Sequence, residues 1–381
     1  MDMNEIILNR GVEEIITRPH LEAALKSGKK LRVKLGIDPT KSDIHLGHTV
    51  ILRKLKQFQD AGHKIILIIG DFTAQIGDPS GQSAERQPLT EKEVKYNLKN
   101  YIRMAGKVIN VKKAEVRYNG EWHKQGLKNF LAMTKAVSIS QVMKREDFQK
   151  RLNAGGDVTV LESLYAILQG YDSVVIKADV ELGGTDQKLN LLMGRRLQRH
   201  FGLPEQDIMI LPLIEGTDGV RKMSKSYDNY IGLEDEPEEM FGKAMSIPDN
   251  LIPKYFTLLT DVDQPKNTGP YAAKMLLAQT LVEMYHGEKT ALKAREEFVK
   301  IFSKKEMPEE LEELKIKNKN IALIDLLLQA GIPSKSEARR LIDQGAVKIN
   351  EETKTNAQEK ISLKGREVLK IGKRRFWKIV G

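Results

Sequence analysis

Five short apolar runs constrain this chain more than anything else in it. They are LRVKLGI (31–37), KIILIIG (64–70), AEVRY (114–118), SVVIKADV (173–180) and DIMILPL (207–213). Each is near-continuous in apolar character instead of alternating with polar residues, which describes strands buried on both faces. Between them lie segments of helical period. Val50, Ile51, Leu55 and Phe58 share one spacing and Gly62 closes it, and Leu189, Leu192, Met193 and Leu197 share the face of an expected helix over 186–201. Strands of this kind alternating with helices predict an α/β fold with a parallel sheet covered on both sides. Ligands of such folds bind beyond the carboxyl ends of the strands. The polar clusters of this sequence fall there.

The second half reads differently. Residues 231–302 hold few strand signals and several helical ones, such as PYAAKMLLAQTLVEMYHG, and predict a helical domain. The charged stretch SKKEMPEELEELKIKNKN (303–320) reads as a linker. The last unit begins IALIDLLLQAGIPSKSEARRLIDQGAVKIN: Ser334 and Glu337 form an expected capping box, Gly345 stops the helix, and AVKIN leaves as a strand. The expected divisions are 1–230, with a connective insertion near 125–160, then 231–318 and 319–381. With 381 residues the chain is long enough for three such units.

Charge and composition narrow the function. Residues 321–381 carry 13 lysines and arginines against 7 acids, a surplus of six within a net charge of +10. That asymmetry suggests a polyanionic partner, with a merely solvated basic surface as the alternative. The absence of cysteine excludes disulfides, thiolate zinc sites and cysteine nucleophiles. No run of eighteen apolar residues occurs, and the opening MDMNEIILNRGVEEII lacks a basic-then-apolar secretory pattern, so the expectation is a cytoplasmic protein with no membrane partner.

Two stretches carry chemistry. GIDPTKSDIHLGHTV (36–50) puts His45 and His48 around Gly47 at a strand-to-helix junction. Metal chelation, phosphate contact and helix packing all fit such a pair. The other histidines (20, 63, 123, 200 and 286) show no metal-type spacing, which disfavours the first. A helix N-terminus favours an anion, imidazole N–H groups reach phosphate oxygens, and Gly47 lets a flat base approach the backbone. In the second stretch, GVRKMSKSYDN, Lys222 and Lys225 are interleaved with Ser224 and Ser226 just after the fifth strand. The lysines supply mobile charges; a solvated loop is the alternative.

In this order and on this strand pattern, HxGH and KMSKS resemble the paired signatures of the class I aminoacyl-tRNA synthetases. YAILQGYD (165–172) and ADVELGGTDQKLN (178–190) look like the tyrosyl branch, and the resemblance runs over nearly the whole chain. It implies a Rossmann-type catalytic core, a helical anticodon-binding domain and a small α+β S4-like RNA-binding domain. It also implies ATP-dependent activation of L-tyrosine and transfer of the tyrosyl group to tRNA(Tyr). By the same resemblance His45, Gly47 and His48 bind ATP, and Lys222 and Lys225, with Ser224 between them, contact the departing pyrophosphate.

The tyrosine pocket then falls on Tyr165, Gln169 and Asp172, which share one helical face and can converge on one small ligand. Tyr165 and Gln169 would hold the ammonium and Asp172 would accept the phenolic proton; an ordinary polar helix face is the alternative. Gly184, Asp186 and Gln187 look like ribose and carboxylate contacts, with a plain N-cap as the other use of Asp186. Asp38, Thr73 and Asp78 match positions near the substrate ammonium, where loop caps would serve almost as well. Lys34 departs from the pattern, because many members carry there a tyrosine that meets the substrate phenol. Recognition of that hydroxyl is then either left mainly to Asp172 or built differently, and Lys34 offsets Asp172 or points elsewhere.

SKSEARRLIDQGAVKIN resembles the S4 module, with Lys335, Arg339 and Arg340 as phosphate contacts. Lys373, Arg374 and Arg375 adjoin Phe376 and Trp377, either as an RNA surface or as a basic hairpin with Trp377 in its core. Mg²⁺ is expected with ATP, liganded by phosphates and water and by no dedicated protein site. The resemblance further implies a homodimer with the 125–160 segment as a candidate interface.

Overall fold

The computed structural model describes residues 2–39, 44–79, 90–303, 311–316, 320–350, 352–363, 365, 367–372 and 375–380. They form two compact units, Met1–Ala294 and Arg295–Gly381.

The first unit is built on a six-stranded sheet. Its strands are β1 (Glu14–Ile16), β2 (Arg32–Ile37), β3 (Lys64–Ile69), β4 (Glu115–Tyr118), β5 (Val180–Gly184) and β6 (Asp207–Leu211), in the order β1-β6-β5-β2-β3-β4. All pairs are parallel except β1 with β6. After β2 the chain winds outward through β3 and β4, then returns to the other side of β2 and continues through β5 to β6. The sheet therefore switches direction between β2 and β5, the place where an α/β sheet opens a crevice. Every residue of β5 and β6 is buried.

The fourth expected strand is a correction. Residues 173–176 close the helix Val160–Ile176, Lys177 takes a left-handed conformation (φ 50°), and the strand starts at Val180. The run SVVI suits a buried helix end as well as a strand, and Lys177 fills a place where glycine would have marked the stop. The expected 186–201 helix is Lys188–His200, preceded by a 3₁₀ turn over Thr185–Gln187, and its buried face is set by Asn190, Leu191, Gly194 and Leu197. Leu189 is instead 47% exposed. The reason is close packing: a Cβ on Gly170 would stand 2.8 Å from Leu197 Cδ1 and 3.0 Å from the Gly194 nitrogen, so two glycines let these helices approach backbone to backbone. Beyond the sheet, Pro237–Ser246, Ile252–Leu259 and Pro270–His286 are helices of the same unit.

In the second unit, β7 (Glu312–Lys315), β8 (Asn320–Ala322), β9 (Val347–Ile349), β10 (Glu352–Thr353), β11 (Lys360–Ser362), β12 (Val368–Ile371) and β13 (Arg375–Val380) form a five-stranded sheet, β10-β9-β12-β13-β7, and the pair β11-β8. Leu323, Leu326, Leu327, Ala338, Ile342, Val347, Leu369 and Ile379 make its core, with Trp377 packed against them. The linker reading of 303–320 needs correction, since β7 pairs parallel with β13. Ser334 caps the helix Lys335–Asp343 by accepting from the Glu337 nitrogen at 3.1 Å, while the Glu337 carboxylate pairs with Arg340. Half of the expected capping box thus forms. Arg375 opens β13, and Lys373 and Arg374 lie outside the described residues.

Candidate active site

A cavity of about 720 Å³ opens at the β2/β5 switch point. Asp38, His45, Gly47, His48, Thr73, Asp78, Tyr165, Gln169, Asp172, Gly184, Asp186, Gln187, Lys222, Ser224 and Lys225 all line it. Lys335, Arg339 and Arg340 belong to the other unit, where all three are exposed on the helix Lys335–Asp343.

His45 is the N-cap of the helix Leu46–Asp60. Its Nδ1 accepts from the Gly47 nitrogen and His48 Nδ1 accepts from the His45 nitrogen, both at 3.2 Å. The two rings lie 4.0 Å apart. An Nδ1 that accepts puts the proton of a neutral imidazole on Nε2, so both rings are fixed as Nε2 donors. The packing and ligand readings of HxGH are therefore compatible, because capping consumes one nitrogen of each ring. A Cβ at residue 47 would stand 2.9 Å from His45 Cε1, so glycine there is required by the ring itself.

The opposite wall is the 222–227 loop. Buried Met223 anchors it, and its nitrogen bonds the Ile214 carbonyl at 2.8 Å. Asn229, which sequence reasoning missed, staples the loop. Its Oδ1 accepts from the Ser224 nitrogen at 2.8 Å, and its Nδ2 donates to the carbonyls of Arg221 and Lys222 at 3.2 Å. Lys222 Nζ lies 3.7 Å from Asp186 Oδ2, and Lys225 Nζ lies 5.3 Å from the Tyr230 ring centroid. Burial holds the Asp186 carboxyl above its ordinary range, and Lys222 partly offsets this.

The inner end is a closed network of acids and donors. Thr73 Oγ1 donates to Asp38 Oδ1 at 2.8 Å and Tyr165 OH donates to Oδ2 at 2.9 Å. Burial, helped by the charges of Asp78 and Asp172, pushes Asp38 up to about 7 against those two bonds. Burial and the neighbouring Asp38 also hold the Tyr165 hydroxyl well above its usual range. Gln187 Nε2 donates to Asp78 Oδ2 at 2.8 Å, and Asn190 Nδ2 donates to Gln187 Oε1 at 3.0 Å.

Asp172 is 3% exposed. Its Oδ1 accepts from Trp122 Nε1 at 2.8 Å and from His123 Nε2 at 2.9 Å, and Asn119 Nδ2 lies 3.5 Å from its Oδ2. These three residues were also missed, although NGEWH directly follows β4 at the carboxyl end of the sheet, where position alone would have flagged it. Lys34 points away from the cavity. Fully buried, its Nζ lies 2.8 Å from Glu181 Oε1 and donates to Ser173 Oγ at 2.8 Å and the Gln169 carbonyl at 3.0 Å.

With imidazole donors on one wall, lysines on the other and an acidic inner end, the cavity suits a polyanion joined to a small zwitterion. Residues 26–303 match the family model described as tRNA synthetases class I (W and Y), and residues 301–379 match the tyrosine–tRNA ligase SYY-like C-terminal domain. The tyrosine–tRNA ligase of Thermotoga maritima is 47% identical over 98% of this chain and 96% of its own length. That of Aquifex aeolicus is 45% identical over 98% and 97%. In fold, the chain is similar to a C-terminally truncated mitochondrial tyrosyl-tRNA synthetase of Aspergillus nidulans (TM-score 0.66, 19% identity, 79% of this chain and 94% of that one). It is also similar to the tyrosyl-tRNA synthetase of Archaeoglobus fulgidus in complex with L-tyrosine (TM-score 0.61, 21% identity, 77% and 100%). The chain belongs to the class I tRNA synthetases and, within them, to the tyrosine–tRNA ligase family.

Proposed function

We propose that the chain activates L-tyrosine with ATP and transfers the tyrosyl group to tRNA(Tyr), the activity for which its relatives are named. The observation that carries this reading is the meeting of His45 and His48 from one half of the sheet with Lys222 and Lys225 from the other, across a cavity that ends at Asp172. A tyrosine carboxylate oxygen attacks the α-phosphorus; the new O–P bond forms as the bond to the β-phosphate breaks, and pyrophosphate leaves. A terminal ribose hydroxyl of the tRNA then attacks the tyrosyl carbonyl, releasing AMP. No side chain is the nucleophile, which suits a chain without cysteine. The protein contributes positioning and charge stabilisation at the transferring phosphorus.

In this reading the Nε2–H groups of His45 and His48, with Gly47, take ATP, and Lys222, Ser224 and Lys225 meet the departing pyrophosphate. Gly184 and Asp186 face the ribose. Asp38, Thr73, Asp78, Tyr165, Gln169 and Gln187 surround the amino acid's ammonium and carboxylate, and Asp172 accepts the phenol. Three neighbouring carboxylates, of which Asp38 is pushed up to about 7 by burial and then by the other two, form a site that an ammonium relieves. Mg²⁺ enters as part of the ATP substrate, liganded mainly by phosphates and water.

Lys335, Arg339 and Arg340 are the proposed RNA contacts of an S4-like domain over 319–381, to whose sheet β7 also belongs, with 1–230 catalytic and the helices that follow residue 230 in the first unit contacting the anticodon. A homodimer through the 125–160 segment is supported by exposed Leu131, Ile139 and Leu152. No helix among the described residues is long and apolar enough to cross a membrane, and we place the enzyme in the cytoplasm with translation. The deciding experiment is ATP–pyrophosphate exchange with each of the twenty amino acids. Tyrosine should support exchange far better than any other amino acid; exchange driven by tryptophan, or silence with tyrosine, refutes the reading.

A further inference from the structure

We propose that His123 is a positioning residue for amino-acid selection: by donating from Nε2 to one oxygen of Asp172, it reserves the other oxygen for the substrate's phenol. The inference rests on the tyrosine reading above and adds a residue to it.

A carboxylate has two oxygens and about four lone-pair directions. On Asp172 the two oxygens are treated unequally. Oδ1 takes Trp122 Nε1 at 2.8 Å and His123 Nε2 at 2.9 Å, so both its acceptor directions are used. The described residues give Oδ2 only Asn119 Nδ2 at 3.5 Å, beyond an ordinary N–H···O bond. Since Asp172 lines the cavity, Oδ2 is the oxygen left to accept from a ligand hydroxyl.

His123 is built for the holding task. Its side chain is fully buried, and Asp172 is nearly so. The ring packs against Phe72 and Tyr171, with centroids 5.4 and 6.1 Å away, which restrains the direction of Nε2. An ionised carboxylate only accepts, so the Nε2 facing it carries the proton. Nδ1 is buried with no hydrogen-bond partner among the described residues, so the bond to Asp172 is the ring's whole polar engagement. A structural histidine placed only for packing would gain nothing from a ring nitrogen there. An apolar side chain of similar volume would fill the pocket without leaving Nδ1 unsatisfied. Trp122 lies beside His123 in sequence and bonds the same oxygen, so the turn after β4 delivers a two-donor clamp from consecutive residues.

The test compares His123→Leu and His123→Met, which remove the donor with different shapes, with His123→Gln, whose amide nitrogen reaches about as far as Nε2. Tyrosine-dependent exchange is measured for KM and kcat, and phenylalanine-dependent exchange gives the selection ratio. The Leu and Met variants should each raise the tyrosine KM about tenfold, leave kcat within about threefold, and lower tyrosine-over-phenylalanine selection by a similar factor. The Gln variant should stay within about threefold of the parent. Parental KM and selection in the Leu or Met variant would overturn the proposal, as would a Gln variant no better than they are. If the Leu variant fails to fold, the Met variant carries the comparison. A parent protein that exchanges with some other amino acid but not tyrosine overturns the tyrosine reading first, and this one with it.

Discussion

The two ends of the cavity are built in opposite ways. At the proposed tyrosine end, Thr73, Asn119, Tyr165 and Asp172 are all at most 5% exposed; the first three are bonded into one network through Asp38, and Asp172 is held by Trp122 and His123. At the proposed phosphate end, Lys222 keeps 41% of its side chain exposed, and the loop bearing it is held through backbone groups by Met223 and Asn229. Selection needs donors and acceptors fixed in place, since a misplaced one is a buried unpaired group. Charge that develops on a phosphoryl group as it leaves is met instead by long cationic side chains carried on a loop that is itself fixed. Four predictions probe this contrast, beginning with the largest.

The tyrosine end is held from beneath by Lys34, whose ammonium ties Glu181 to the helix that carries Tyr165, Gln169 and Asp172. Breaking a buried pair leaves an uncompensated charge and costs about 3–5 kcal/mol. Lys34→Met should lose about that much stability in urea unfolding, and Lys34→Met with Glu181→Met should regain most of it. If the single variant is as stable as the parent, the inner end is not scaffold-held and the contrast fails.

At the other end, Lys225→Ala should slow tyrosyl-adenylate formation about 10²–10³-fold, the scale for removing one preorganised charge-stabilising group. Tyrosine binding by equilibrium dialysis should stay within about threefold. Equal losses in both measurements would merge the two ends into one function. The intermediate effect belongs to Asp172. Its replacement by alanine should lower kcat/KM for tyrosine about 10- to 100-fold, the worth of one charge-assisted bond, while ATP binding is unchanged. Unchanged tyrosine kinetics would remove it from the pocket.

The phosphate end was the more legible from sequence, and its mode of construction explains why. HxGH and KMSKS are local: each places its side chains by one loop and one helix start, so spacing alone carries the geometry. Tyr165, Gln169 and Asp172 were readable for the same reason, as one helical face. What escaped was joined across the chain. Asn119, Trp122 and His123 reach Asp172 from about fifty positions away, and Asn229 reaches back over its own loop. Lys34, expected to offset Asp172 or to point elsewhere, does the latter, because its ammonium is tied to Glu181, a partner from another strand that no local spacing reveals. In the fold, β2, β3, β4 and β6 followed from apolar runs. β5 did not: its VELGG carries a buried Glu181 and two glycines, while the more apolar SVVI just before it finishes a helix. β1, at three residues, and the acidic β7 carried too little pattern to be seen.

The smallest predicted effect comes from the cost of prebuilding an acidic pocket. Burial raises Asp38 from 3.8 to about 7, so between those values the folded protein holds a proton that the unfolded chain has released. The sign follows: this group's contribution to stability is full below the unfolded pKa and declines as pH rises toward 7. Lowering the pH from 8 to 6 therefore does not weaken the fold through Asp38, but it neutralises a carboxylate that the substrate ammonium needs charged. Tyrosine affinity, measured by calorimetry without ATP so that the phosphate end is not engaged, should fall about tenfold across that interval. At pH 6 binding should release close to one proton, read from the dependence of heat on buffer ionisation enthalpy. Asp38→Asn should bind weakly and abolish most of the pH dependence and the proton release. If the variant keeps the parent's profile, the titrating group lies elsewhere, and the inner end accepts its ligand without the electrostatic rearrangement that its buried acids imply.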